Sequence, residues 1–214
     1  MTIRHHPLDD TLAEFAAGTL PIGPSLVLRA HLSVCPDCRR RFRAIQSVGG
    51  ALLAIESFAS VPAGLLERTL AQIDRLERAT APPATRPERP FPGAPDSMRG
   101  CSVGRWRVVQ PGLRIATVTA PGEASASAML IRVGAGRRMP RHTHDGVEYT
   151  LVLNGEFSDE SGLYGPGDYV EGDESLVHQP VAAVAQDCLC LAAIEGRLKM
   201  TSLVGQVANS LFGF

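Results

Sequence analysis

The sequence predicts a multidomain α + β chain: a helical bundle over residues 1–80, a linker over 81–100 and a β-barrel over 101–214. Three observations predict it. Up to about residue 78, apolar residues recur at helical spacing. Six prolines then fall between residues 79 and 99. Beyond them the apolar period drops to two, and glycine- or proline-containing turns separate short runs.

Leu8, Leu12 and Phe15 stand at i, i+4 and i+7, which predicts a first helix that Gly18 and Pro21 end. A second helix is expected from Pro24 to Val34. Pro36 suits the first position of a third, whose stripe is Phe42, Ile45, Gly49 and Leu52. A fourth is expected from about Ser60, which can cap it, through Leu66, Leu70, Ile73 and Leu76, with charges on its other faces. The prolines that follow favour a semi-rigid, polyproline-like linker. Strands are expected at 106–109, 114–119, 128–133, 148–153, 168–171 and 188–194, enough for a small barrel or sandwich.

Composition excludes several classes. Twenty-one basic residues against 22 acidic ones leave a net charge of −1, so no global electrostatic case exists for direct nucleic-acid binding. The start has no apolar segment of signal-peptide type, and the longest apolar stretch, 181–194, is too short to span a bilayer. A cytoplasmic protein is expected, and there a Cys-x2-Cys favours metal or redox chemistry over a structural disulfide.

Two sets of metal-ligand residues stand out. His31-x3-Cys35-x2-Cys38 places His31 and Cys35 on one helix face, with Cys38 in the first turn of the next helix. Amide donors and the helix dipole there favour thiolate. Three N and S ligands want a fourth for tetrahedral zinc, and His5 or His6 can supply it. The bland alternative is two buried cysteines and a surface histidine. In the second set, His142 and His144 lie two apart on an expected strand and face the same way, Glu148 shares their parity, and His178 returns from another part of the sheet. Three imidazoles and a carboxylate leave one or two positions open on a divalent metal; zinc, manganese, iron(II) and nickel all accept such ligands.

The second set, Gly136-x5-His142-x-His144-x3-Glu148-x6-Gly155, resembles the first cupin motif at every specified position. The resemblance implies a double-stranded β-helix over about residues 101–210. The second cupin motif is altered: Gly165-Pro166-Gly167-Asp168 keeps the turn, but the histidine comes later, at His178. The helical part, with an early histidine and H-x3-C-x2-C, resembles the zinc-binding anti-sigma domain. Followed by a cupin, the whole chain is similar to the ChrR family of anti-sigma factors. The resemblance implies His6, His31, Cys35 and Cys38 as zinc ligands, and His142, His144, Glu148 and His178 as barrel ligands. It implies inhibition of an extracytoplasmic-function sigma factor, and a response to singlet oxygen or another oxidant or small molecule through the barrel. Two other readings compete: a metal-dependent cupin enzyme, such as a dioxygenase or isomerase, and a small-ligand binding protein.

Other features have plainer readings. Arg39, Arg40, Arg41 and Arg43 surround their helix and read as a solvated face. Cys188 and Cys190 share a strand face, where packing is the simpler role and redox the alternative. Cys101 near the linker carries no further mark.

Overall fold

A computed structural model of the chain describes residues 2–57, 59–80 and 87–200. Residues 81–86 of the expected linker and 201–214 of the expected barrel domain lie outside the described residues.

Four helices come first: α1 (Asp9–Ala17), α2 (Ile22–Val34), α3 (Pro36–Ile55) and α4 (Leu65–Thr80). Asp9 and Asp10 sit in the first turn of α1, where the helix dipole favours negative charge. Gly18 ends that helix at φ 74°, a left-handed conformation in which its amide donates to Phe15 O. Helix α2 starts two residues before the expected Pro24. Extended Pro21 precedes it, and a proline in the first turn forfeits no helical hydrogen bond. Helix α4 starts at Leu65 and not near Ser60, because Pro62 to Gly64 form a turn with Gly64 at φ 70°.

Twelve strands follow: β1 (Ser102–Val103), β2 (Arg107–Gln110), β3 (Leu113–Thr119), β4 (Ala128–Val133), β5 (His142–His144), β6 (Glu148–Asn154), β7 (Phe157–Ser158), β8 (Leu163–Tyr164), β9 (Tyr169–Gly172), β10 (Val181–Ala182), β11 (Cys188–Ile194) and β12 (Leu198–Met200). The large antiparallel sheet runs β1-β3-β4-β11-β6-β9, with β2 on the outer side of β3. A second sheet runs β10-β7-β8, and β12 pairs with β5. The two- and three-residue strands are too short for a period-two signal, so the sequence pattern shows only the longer ones.

The helices and the barrel share a core. On β6, Tyr149 and Leu151 face outward to join Leu12, Val27, Leu28 and Met98. Val152 lies in the barrel interior with Ile131, Phe157, Cys188 and Cys190. Helix α2 lies across β4, β6 and β11 on the outer face, α3 lies against it, and α1 lies against α3. A helix covered on several sides is apolar nearly all round, as Leu26, Val27, Leu28, Ala30 and Leu32 show. The second half of the proline-rich stretch also packs here. Asp96–Met98 form a 3-10 turn, Met98 is fully buried, and Gly100 N donates to Glu88 O. An open polyproline run therefore does not describe residues 87–100.

From Gln46 to Leu76 the described residues are all exposed. Val48, Leu52 and Ile55 on α3, and Leu66, Leu70 and Ile73 on α4, form apolar stripes without cover. The expected α3 stripe thus divides: Phe42 and Ile45 pack on the core and Leu52 does not.

The α2–barrel contact is tightest at Gly23, where an added Cβ would stand 2.0 Å from Ser127 O and 3.2 Å from Ala193 Cβ. Gly23→Ala should therefore strain the shared core and lower stability by about 1–3 kcal/mol. Guanidinium unfolding checks this; an unchanged midpoint would show that α2 does not bear on the barrel.

Candidate metal centres

The first centre is built where α2 meets α3. Cys35 closes α2 and caps α3, its Sγ accepting from Cys38 N at 3.5 Å, with Pro36 at the first helical position. His31 lies one turn before Cys35 on α2. His6 arrives on the extended N-terminal segment, its Nδ1 3.5 Å from Cys35 Sγ and 3.3 Å from Cys38 Sγ. A tetrahedral zinc with ordinary Zn–S and Zn–N bonds separates N and S ligands by about 3.6 Å. One ligand atom from each of His6, His31, Cys35 and Cys38 falls within 4.8 Å of the others. His5, the alternative to His6, lies elsewhere, its ring 4.5 Å from that of Tyr164.

The second centre lies inside the barrel. His142 and His144 face inward from β5, and Glu148 opens β6. His178 sits opposite His142 in an isolated antiparallel bridge, each amide donating to the other's carbonyl at 3.1 Å. His144 Nε2 lies 3.3 Å, and His178 Nε2 3.8 Å, from Glu148 Oε2. Gly155 returns the chain after β6 at φ 73°, with Asp187 O where a Cβ would go, 2.3 Å away.

Hydrogen bonding assigns the ring tautomers. His142 Nδ1 lies 2.8 Å from Pro140 O, and His31 Nδ1 2.9 Å from Gly167 O. A carbonyl only accepts, so both Nδ1 atoms carry hydrogen. Burial holds His31, His142 and His144 down at about 4, so the rings are neutral and Nε2 of His31 and His142 is a bare lone pair. His178 Nδ1 faces Asp159 Oδ2 at 2.8 Å and so carries hydrogen. His142 Nε2 and His178 Nε2 lie 3.0 Å apart. Nε2 of His31 and of His144 is buried without a hydrogen-bond partner. Orphaned lone pairs are costly in a protein interior, and a cation at each site would relieve Nε2 of His31 and one ring nitrogen of His144. Both residue sets fit a divalent metal.

Arrangement around the ligands supports this. Asp159 is buried; burial alone would raise its carboxyl, but His178 and the Ser161 and Gly162 amides hold it below the usual range. Nothing in the spacing of Asp159 marks it in the sequence. Arg41, one of the arginines read as a solvated face, reaches Cys38 Sγ at 3.8 Å and is tied to Pro7 O and Asp9. Burial, with Cys35 beside it, pushes the Cys38 thiol up to about 12 against the pull of Arg41, so a metal's charge is needed for two thiolates here. Cys188 and Cys190 are buried with Sγ atoms 3.7 Å apart, and burial raises the Cys101 thiol. A cavity of about 40 Å³ lies beside His142, Glu148 and His178, lined also by Ile131, Phe157 and Val170. That space suits a group one or two waters in size.

Fold and centres together define a two-part protein with two candidate metal sites, a His/Cys helical unit seated on a His/Glu cupin-type barrel. The model of the ChrR cupin-like domain family matches residues 97–196. Anti-sigma-E factor ChrR of Cereibacter sphaeroides is 39% identical over 213 residues, 99% of each chain. The crystal structure of Rhodobacter sphaeroides SigE in complex with the anti-sigma ChrR matches with a TM-score of 0.73 and 40% identity, over 91% of this chain and all of that one. This chain belongs to the ChrR family of anti-sigma factors. Among the described residues, no single helix is long and apolar enough to cross a membrane.

Titration of the metal-free chain tests the burial of the ligands. Unfolded histidines bind protons below about pH 6.5 that His31, His142 and His144 refuse down to about 4, so folding weakens as pH falls through that window. Glu148, raised by burial from 4.5 to about 6, works the other way: its contribution is present below 4.5 and lost as pH rises through 6. Three histidines outweigh one carboxyl. The guanidinium midpoint should fall between pH 7 and 4.5, and a flat profile would mean the imidazoles are solvated.

Proposed function

We propose that this chain is an anti-sigma factor whose helical arm, the exposed half of α3 with α4, grips an extracytoplasmic-function sigma factor in the cytoplasm. One observation carries the reading: the apolar stripes Val48-Leu52-Ile55 and Leu66-Leu70-Ile73 are presented to solvent on helices that no other described element covers. Contiguous apolar faces of this kind mark sites for a protein partner. In the related complex, ChrR is bound to SigE. His6, His31, Cys35 and Cys38 hold zinc, whose tetrahedral preference matches two thiolates and two imidazoles. His142, His144, Glu148 and His178 hold a second divalent metal, zinc in the first instance, with manganese, iron(II) or nickel chemically acceptable. The signal of singlet oxygen or oxidative stress is sensed by this barrel, where a metal held by those four residues would supply a site for an exogenous ligand, and the sigma factor is then released. Release requires that the effector favour the free state over the bound one.

A cupin dioxygenase or isomerase needs room for its substrate beside the metal. The roughly 40 Å³ here is far below the several hundred that hold a small organic molecule. The chain acts as a regulator, not an enzyme, and direct contact with nucleic acid or a membrane has no part in it.

Replacing Leu70 and Ile73 together with Glu tests the grip. Both are about half exposed, so folding and metal content should stay as they are. Affinity for the partner sigma factor should fall on the order of 30-fold or more, since losing even one buried interface anchor costs about 2 kcal/mol or more. Calorimetric titration measures it. Full affinity in the double variant would place the partner elsewhere.

A further inference from the structure

The two imidazoles of the helical centre take their alignment from the barrel. His31 Nδ1 donates to Gly167 O at 2.9 Å. The segment that delivers His6 is bound to the next two residues of the same turn. Asp168 Oδ1 accepts from Arg4 N at 2.6 Å and from His5 N at 3.0 Å, and Tyr169 N donates to His5 O at 3.1 Å. Asp168 Oδ2 accepts from Gly165 N at 2.9 Å, so one carboxylate, 2% exposed, closes the barrel turn and holds the N-terminal segment. The thiols are placed differently, by the junction of α2 and α3 alone. Three consecutive barrel residues, 167–169, thus set both imidazoles, and the helices set both sulfurs.

We infer that the Gly165–Tyr169 turn of the barrel is an outer support of the helical metal centre and that Asp168 is its positioning residue. This rests on the reading of His6, His31, Cys35 and Cys38 as metal ligands. The physical reason is pre-organisation. A ligand on a segment outside any helix or strand must otherwise be ordered when the metal binds. Hydrogen bonds from Asp168 order it beforehand, and Gly167 O fixes the tautomer and plane of His31. Such supports change metal affinity by about 10- to 100-fold when removed.

Cobalt(II) gives the test, because thiolate ligation produces an ultraviolet charge-transfer band that a His/Glu barrel site cannot. The full chain is loaded with cobalt in both centres and challenged with EDTA. Asp168→Ala should speed decay of the thiolate band by about 10- to 100-fold and shift the ligand-field bands as an imidazole is lost. One cobalt should remain in the barrel, which a general loss of folding would not allow. Asp168→Asn serves where the alanine variant does not fold. It keeps an acceptor for the Arg4 and His5 amides but sets an amide group against Gly165 N–H, so a smaller acceleration is expected. Wild-type decay in either folded variant would overturn the inference. A wild-type chain that binds cobalt without any thiolate band would instead remove the metal reading beneath it, and the inference with it.

Discussion

A buried carboxylate ties the beginning of the chain to the edge of the barrel. Asp168 receives the Arg4 and His5 amides on one oxygen and its own turn on the other, and its neighbour Tyr169 donates to His5 O. The three amide bonds hold the carboxyl below its usual range even though burial pushes it up. Glu171, two residues on, accepts from Leu8 N and the Thr11 hydroxyl and so continues the same seam to the start of α1. The N-terminal segment therefore runs along β9 as an added, short edge. His6 is positioned by this seam, and the helical centre is completed by it.

Around that seam the molecule divides into a packed part and a free part. Helices α1 and α2, the first half of α3, residues 87–100 and the barrel share a buried network. The second half of α3 and α4 project from it with apolar faces uncovered. The proposed function fits this division. It leaves the arm open to a partner, with the barrel fixed to the candidate metal centre at the arm's base. β6 carries Glu148 of the barrel centre and pairs with β9, Glu148 opposite Gly172 and Tyr149 opposite Glu171. One strand pair thus separates the barrel centre from the seam.

Much of this was legible in the sequence. Helical spacing located α1 to α3, and the short β-rich runs located β3, β4, β6 and β11 within a residue. The cupin-type pattern singled out His142, His144 and Glu148, which the structure gathers with His178. Spacing alone left His5 and His6 open, because adjacent residues on an extended segment differ only in the side they face, and the barrel edge decides that. The shared core was not read, yet its signal was present. Cys188–Ile194 and Leu151–Leu153 are apolar at successive positions, and a strand apolar on both faces is covered on both faces. Asp159 and Asp168 gave no such signal, because their partners lie 19 and more than 160 residues away. The Gly165-Pro166-Gly167-Asp168 turn was read only as the retained turn of an altered second cupin motif, whereas its residues make the seam.

Hydrogen exchange of backbone amides in the full chain tests the seam most directly. Segments outside helices and strands ordinarily exchange quickly. If Asp168 holds the N-terminal segment, the Arg4 and His5 amides should exchange as slowly as Tyr169 and the barrel strand behind it. Fast exchange at Arg4 and His5, alongside slow exchange in β6 and β9, would contradict the account.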